Sequence, residues 1–274
     1  MATAEEVIAW LDAHGSGQRL HMESEVGTTP VDELILAWSA NMTVLQAAID
    51  RGATMVCART NCYYAPPVGF DQAIVPGELD WEDIVGADPV MRAKREFVQQ
   101  HGLVVTAAPW LWDIGGPNAR SAALARAIEL GDVLDDGPTV TVQPSKQFST
   151  ADIVESLCSK LGTTHCLVTG HTDLAHRIAV VAGMCSPYDV ATALVDDQVD
   201  VLITGESVEW EAVPYAQDVI QTGRQFSLIA AGNAISENPA AFALARLLNA
   251  DDPPVRVTAM PVTPPAWVAR KVVA

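Results

Sequence analysis

A chain of 274 residues, 49% hydrophobic and 18% charged, carries enough apolar material for one large domain or two smaller ones, which excludes a disordered protein. Its formal net charge of −18 repels phosphate backbones and so excludes nonspecific nucleic-acid binding, while leaving room for a local basic pocket that takes a small anion. The five cysteines, an odd number without a C-x-x-C pair, read as buried free thiols; no apolar run approaches the ~20 residues of a membrane span, so the expected location is the cytoplasm.

The N-terminal stretch Met1–Leu11 is acidic at Glu5 and Glu6 and has no basic segment, so it reads as an amphipathic helix and not as a signal peptide. Leu34–Trp38 is a short buried strand. Asn41 is placed to cap a helix whose Leu45, Ala48 and Ile49 share a face and which Gly52 ends. Met55–Ala58 is a second buried strand, and the three make a βαβ unit with a parallel strand pair and a right-handed crossover. Arg59–Pro89 is a long polar excursion, of a length that often carries function. A helix over Met91–Gln100, closed by Gly102, leads to the strand Leu103–Ala107. Pro109–Pro117 is irregular and rich in Trp and Gly, and Ala119–Leu130 returns to helix.

The acidic, glycine-bearing stretch Gly131–Pro138 marks a boundary. After it come the strand Thr139–Val142, a capping box from Ser149 to Asp152, and the helix Ile153–Leu161. Cys166–Val168 and Ile178–Val181 are short strands, Pro187–Val195 a helix, and Val199–Thr204 a strand. Val213–Gln221 is a helix that Gly223 stops, followed by the strand Phe226–Ala231. Pro239–Asn249 reads as a helix with its proline in the first turn, and Val255–Thr258 as a last strand.

Open parallel sheets bind ligands outside the carboxyl ends of their strands. The loops that begin there start at Arg59-Thr60-Asn61, at Pro109–Asp113, and at Gly170, Gly183, Gly205 and Gly232. Their carboxylates are Asp113, Glu206, Glu209 and Glu237. Brought together, these four would hold a hard cation such as Mg²⁺ or Mn²⁺ or perform acid–base work; apart, each is a helix cap or a surface residue. Of the six histidines only His171 falls at such a strand end. The chain has no phosphate-binding P-loop, no dinucleotide fingerprint and no nucleophile elbow. Trp110, Trp112 and Trp210 flank the candidate loops, either as core or as stacking surface for a planar ligand.

Over nearly its whole length, the order of these motifs resembles the NIF-three-like family, known also as dinuclear metal-centre proteins or GTP cyclohydrolase type-2 homologues. Asp50–Ala58 resembles the family's helix end and strand. The two metal-binding residues that follow in the family are replaced here, where the chain reads Arg59-Thr60-Asn61-Cys62-Tyr63-Tyr64, with the aromatic pair kept. A second motif, histidine four residues before aspartate, reads Pro109-Trp-Leu-Trp-Asp113. The third, Gly-His with a glutamate four residues on, reads Gly232-Asn233-Ala-Ile-Ser-Glu237. Of the family's ligand set, Asp113 and Glu237 survive and the imidazoles at the matched positions are gone.

The resemblance implies an α/β fold of two domains with mixed or parallel sheets. The outer domain would comprise residues 1–135 plus 226–274, and the inserted one residues 136–225. It implies a homo-oligomer, from dimer to hexamer. Two functions stand. In the first, a degenerate metal site, holding at most a weak Mg²⁺ or Mn²⁺ between Asp113 and Glu237, leaves a small-molecule-binding or scaffold protein. Arg59, Thr60, Asn61 and Asn233 would then bind a small polar ligand, and Arg59 would pair with Asp113 or Glu237. In the second, a metal-dependent hydrolase has rebuilt its site from the four carboxylates, with Glu206 and Glu209 catalytic.

Overall fold

The computed structural model describes residues 2–15, 20–22, 24–63, 87–135 and 137–263. Tyr64 lies outside the described residues, as do Asp71, Glu78 and Asp80 of the 59–89 excursion, acids whose sequence position would let them fold back toward the site. In chain order the elements are β1 (Ala2–Thr3), α1 (Ala4–Ala13), β2 (His21–Met22), β3 (Pro30–Val31), β4 (Glu33–Ser39), α2 (Met42–Asp50), β5 (Met55–Thr60), α3 (Pro89–Gln100) and β6 (Val104–Ala107). A 3-10 helix over Pro109–Asp113 follows, then α4 (Ala119–Ile128), β7 (Gly131–Leu134), β8 (Val140–Pro144), α5 (Thr150–Leu161), β9 (Leu167–His171) and β10 (Arg177–Cys185). The chain continues through α6 (Pro187–Ala193), β11 (Val199–Ser207), α7 (Ala212–Gln221), β12 (Phe226–Ala230), α8 (Asn233–Asn249) and β13 (Arg256–Ala259).

Two compact units result: Met1–Ile114 with Ala241–Pro261, and Gly115–Ala240 with the described residues from Val262. In the first, a five-stranded sheet has the order β13-β4-β5-β6-β2, parallel except at β2. Local signals fix its pieces. Asn41 accepts a hydrogen bond from the Val44 amide and so caps α2, whose Val44, Leu45 and Ala48 are buried. Gly52 (φ +77°) and Gly102 (φ +60°) take the left-handed conformation just beyond α2 and α3.

In the second unit a six-stranded sheet has the order β7-β8-β10-β11-β12-β9. β10, β11 and β12 are parallel; β8 and β7 on one side, and β9 on the other, run antiparallel. Alternate side chains face opposite ways. Val180, Val201, Ile203 and Ile229 pack with α4 and α5, whereas Ala179, Leu202 and Leu228 pack with α6 and α7. The expected capping box at Ser149 and Asp152 forms at the start of α5.

The second compact unit begins at Gly115 and includes α4, and the stretch from Gly131 forms the edge strand β7. The strand at residues 226–230 pairs with β11 and β9, and the chain returns to the first unit at Ala241. One expectation is corrected: the helix read from Pro239 begins at Asn233 and carries the proline in its interior. Proline lacks the N–H that would reach back one turn, and tertiary contacts of the first turn, described below, override that local penalty.

In the first unit Glu33 is 5% exposed, and its Oε1 accepts from Thr258 Oγ1 at 2.6 Å and from Arg51 and Arg256, each at 2.9 Å. Burial pushes this carboxyl up. Hydrogen bonds from Thr258 and Arg51, and the charges of Arg51 and Arg256, outweigh that and hold it below the ordinary carboxylate range. A depressed folded value means the stabilisation is present above the unfolded value and is lost as pH falls through the folded one. Both arginines remain open to water, which moderates the effect. Glu33→Gln is therefore expected to cost about 1–2 kcal/mol at pH 7, a difference that shrinks below about pH 4. Urea denaturation of both chains at a series of pH values checks this; a difference independent of pH would contradict it.

Candidate functional site

The carboxyl end of the second sheet is shaped by glycines that let the first turn of α8 lie directly on it. A Cβ on Gly205 would fall 2.2 Å from Ser236 Oγ and 2.9 Å from Asn233 Cα. A Cβ on Gly183 would fall 2.3 Å from Glu237 Oε1, and this glycine also sits at φ +82°. Neither position tolerates a side chain without moving the helix. Hydrogen bonds then fasten the turn. The Gly232 amide donates to the Gly205 carbonyl at 2.6 Å, the Gly183 amide donates to Ser236 Oγ at 2.9 Å, and that hydroxyl donates to the Asn233 carbonyl at 2.7 Å.

This seating drives Glu237 out of water altogether, to 0% exposure. A buried carboxylate needs a cation or several donors to remain charged. Arg120, in the first turn of α4, donates from its guanidinium to Glu237 Oε1 at 2.9 Å. The neighbouring Ser121 accepts from the Ala182 amide at 3.1 Å, which ties the start of α4 to the same strand end. An arginine was expected on this glutamate, and Arg120 supplies one.

Beside this notch lies a cleft of about 240 Å³, lined among others by His165, Gly205, Glu206, Glu209, Gly232 and Asn233. Asn233, the first residue of α8, donates from its side-chain amide to Glu206 Oε2 at 3.0 Å. Glu206 lies near the end of β11 and Glu209 in the turn after it; both carboxylates are exposed. His165 was not foreseen. Cys166–Val168 had been taken as a strand whose following loop, with His171, would face the site. β9 instead runs antiparallel to β12, pairing Leu167 with Ala230 and His171 with Phe226. The residue before β9, His165, thus lies at the carboxyl end of β12. His171 lies at the far end, paired with Asp173 at 2.9 Å.

The remaining expected site residues belong to the first unit. Arg59 and Thr60 end β5 and Asn61 follows it. Arg59 is half-buried, and Thr60 donates to the Trp38 carbonyl at 3.1 Å. Asp113 is the exposed last residue of the 3-10 helix after β6, the strand beside β5. Among the described residues, no group of three or more His, Cys, Asp or Glu side chains is placed to hold a metal ion. Cys166 and Cys185, in the second unit, are not nucleophiles at neutral pH. Burial pushes the Cys185 thiol up to about 12, helped by the Asp189 charge, and burial with Cys158 alongside pushes Cys166 up to about 12.

A larger cavity, about 850 Å³, opens at the amino ends of the parallel strands among Lys146, His176, Asp200 and Arg224. His176 Nδ1 lies 2.7 Å from Asp200 Oδ2, and Arg224 donates to the carbonyls of Asp196, Asp197 and Val199. Asp200 and Arg224 are thereby occupied with structural bonds. Ligands of open α/β sheets bind at the other end, which favours the smaller cleft.

The profile of the family described as Duf34/NIF3 (NGG1p interacting factor 3) matches residues 86–265. Solved structures of similar fold cover almost the whole chain. They include a Bacillus cereus protein related to NIF3 (13% identity, 97% of this chain and 99% of that one, TM-score 0.70) and Staphylococcus aureus hypothetical protein SA1388 (16%, 97% and 99%, 0.69). A third is reduced HcgD from Methanocaldococcus jannaschii (14%, 94% and 97%, 0.62). None of the curated proteins matches at the sequence level. No helix among the described residues is long and apolar enough to cross a membrane.

The close approach at Gly183 generates a double-mutant test. Gly183→Ala is expected to cost about 2–4 kcal/mol, from the strained backbone and from displacement of the Glu237 carboxylate. Combined with Glu237→Ala, which removes the obstructing oxygen, the two losses are expected to fall short of their sum by about 1 kcal/mol or more. Urea denaturation of the four chains measures this, and strict additivity would show that the two residues do not share the space.

Proposed function

The chain belongs to the Duf34/NIF3 family, and from that premise we propose that its second unit binds a small polar molecule in the cleft at the carboxyl end of β11, without the metal pair that the family resemblance implies. The observation that carries this reading is the Glu206 carboxylate held by the Asn233 amide at the mouth of a cleft of about 240 Å³. A cavity of that volume is below the range of drug-sized ligand sites and suits a fragment-sized molecule. Glu206 and Glu209 supply acceptors, and His165 and Asn233 groups that both donate and accept.

The residues present do not fit a pair of transition-metal ions. Positions 109 and 233 hold proline and asparagine where the resemblance calls for imidazole. The surviving Glu237 is fully buried against a guanidinium, whose positive charge opposes a second cation there. Asn233 turns its amide N–H toward Glu206, and an N–H is no metal ligand. The hydrolase with four carboxylates around a hard cation is not favoured either. Of the four carboxylates, Glu206 and Glu209 line the cleft, whereas Glu237 is buried against Arg120 and Asp113 belongs to the first unit. Ring opening of GTP calls on zinc-activated water, and positions 109 and 233 lack the imidazoles that would favour zinc.

Assembly into a homo-oligomer is part of this proposal. Tyr188 and Trp210 are 78% and 79% exposed and offer aromatic surface to a partner copy. Elemental analysis of the purified chain, never exposed to chelator, is expected to find transition metal well below one ion per chain; near-stoichiometric metal would overturn the reading. In a thermal-shift screen of small polar molecules, those that stabilise the chain are expected to lose at least tenfold in affinity on Glu206→Gln. If no small molecule gives a shift, the scaffold role replaces the binding one.

A further inference from the structure

A second cavity, about 260 Å³, adjoins the polar cleft and shares four of its lining residues, Leu167, Ser207, Glu209 and Ala230. Its own contributions are different in character: Val168 and Thr169 from β9, Val213 from α7 and Leu228 from β12. It runs along the edge of the sheet, where β9 pairs Leu167 with Ala230 and Thr169 with Leu228, and where α7 packs over both strands. Leu167 and Val168 are 59% and 43% exposed, so two aliphatic side chains stand in water beside an apolar floor made by Leu228 and Ala230. Water there has few partners to bond, and displacing it with apolar atoms is favourable.

Among the described lining residues of both cavities there is no lysine or arginine, and the two carboxylates Glu206 and Glu209 stand in the polar one, Glu209 where the cavities meet. The polar end thus favours a cation, and the other end a body without charge. Taking the ligand-binding cleft as the starting point, we propose that its ligand is a cationic amphiphile: a primary amine or similarly compact cation seated between Glu206 and Glu209, with an unbranched or planar apolar portion lying between β9 and α7. The shared wall fixes the order of the two parts, since Glu209 faces both. Leu167 acts as a specificity residue for the apolar portion and Glu209 for the charge.

The test uses the intact chain and n-alkylamines from methyl to octyl, with the matching n-alkanols and n-alkanoates, followed by isothermal calorimetry at pH 7. Amine affinity is expected to rise by about fourfold per methylene until the groove is filled, with alkanols at least tenfold weaker and alkanoates not binding. Leu167→Ser, at an exposed position whose loss leaves folding intact, is expected to flatten the dependence on chain length. Glu209→Gln is expected to erase the preference of amines over alkanols. Equal binding by all amines, insensitive to Leu167→Ser, would overturn the amphiphile and leave the polar cleft standing. Tighter binding by alkanoates would overturn the cationic head. No binding by any of the three series also overturns this proposal, whereas the polar cleft itself stands or falls on Glu206→Gln in the screen above. Light scattering provides the last outcome: a dimer that Leu167→Ser dissolves would make the groove an interface between copies and exclude a small amphiphile from it.

Discussion

A carboxylate with no contact to water has to be answered from within the protein, and the carboxyl end of the second sheet is organised around that requirement. Glu237 is answered by Arg120. To bring the two together, the first turn of α8 must press onto β10 and β11, and this is possible only because residues 183 and 205 have no side chain. Ser236 then bridges the helix to β10, and Asn233 is delivered to the top of the cleft, where it meets Glu206. Replacing any one of these residues disturbs the others, because removing one partner of a buried pair strands a charge in a medium that solvates it poorly.

How much of this was legible in the sequence depended on how local the cause was. Asn41, Ser149 and Asp152 announce helix starts, and Gly52, Gly102 and Gly223 announce helix ends, because caps are settled within four residues. Buried strands were visible as apolar runs, as at Met55–Ala58 in β5. Strand direction was not. Leu167–His171 contains nothing that distinguishes a parallel from an antiparallel partner, so His171 was placed at the site and His165 was passed over. The start of α8 was misread for a related reason. Proline marks a first turn by propensity, and here packing of residues 233–237 against the sheet extends the helix ahead of it. Arg120 could not be foreseen at all, since its partner is 117 residues away and no spacing rule connects them. The glycines were the available clue, three of them ending strands that converge on one helix.

The fold is shared with proteins of 13–16% identity, a level at which architecture is informative and chemistry is not. At the carboxyl end of the second sheet this chain carries an amide at position 233 and a guanidinium on Glu237, and the backbone around them is held by glycines and by hydrogen bonds among main-chain groups and Ser236.

The position of β9 has a bearing on how the chain reaches this structure. β9 precedes β10, β11 and β12 in the chain, yet among the described residues its partner in the sheet is the last of them. It has nothing to pair with until the chain has run on through two further strands and their helices, so its docking is a late event of high contact order. Until then Leu167 and Val168 belong to an unpaired apolar segment, the kind of species that competes for edges on other chains. On a ribosome that interval is set by the rate of synthesis, and the polar cleft acquires its His165 wall only when it closes.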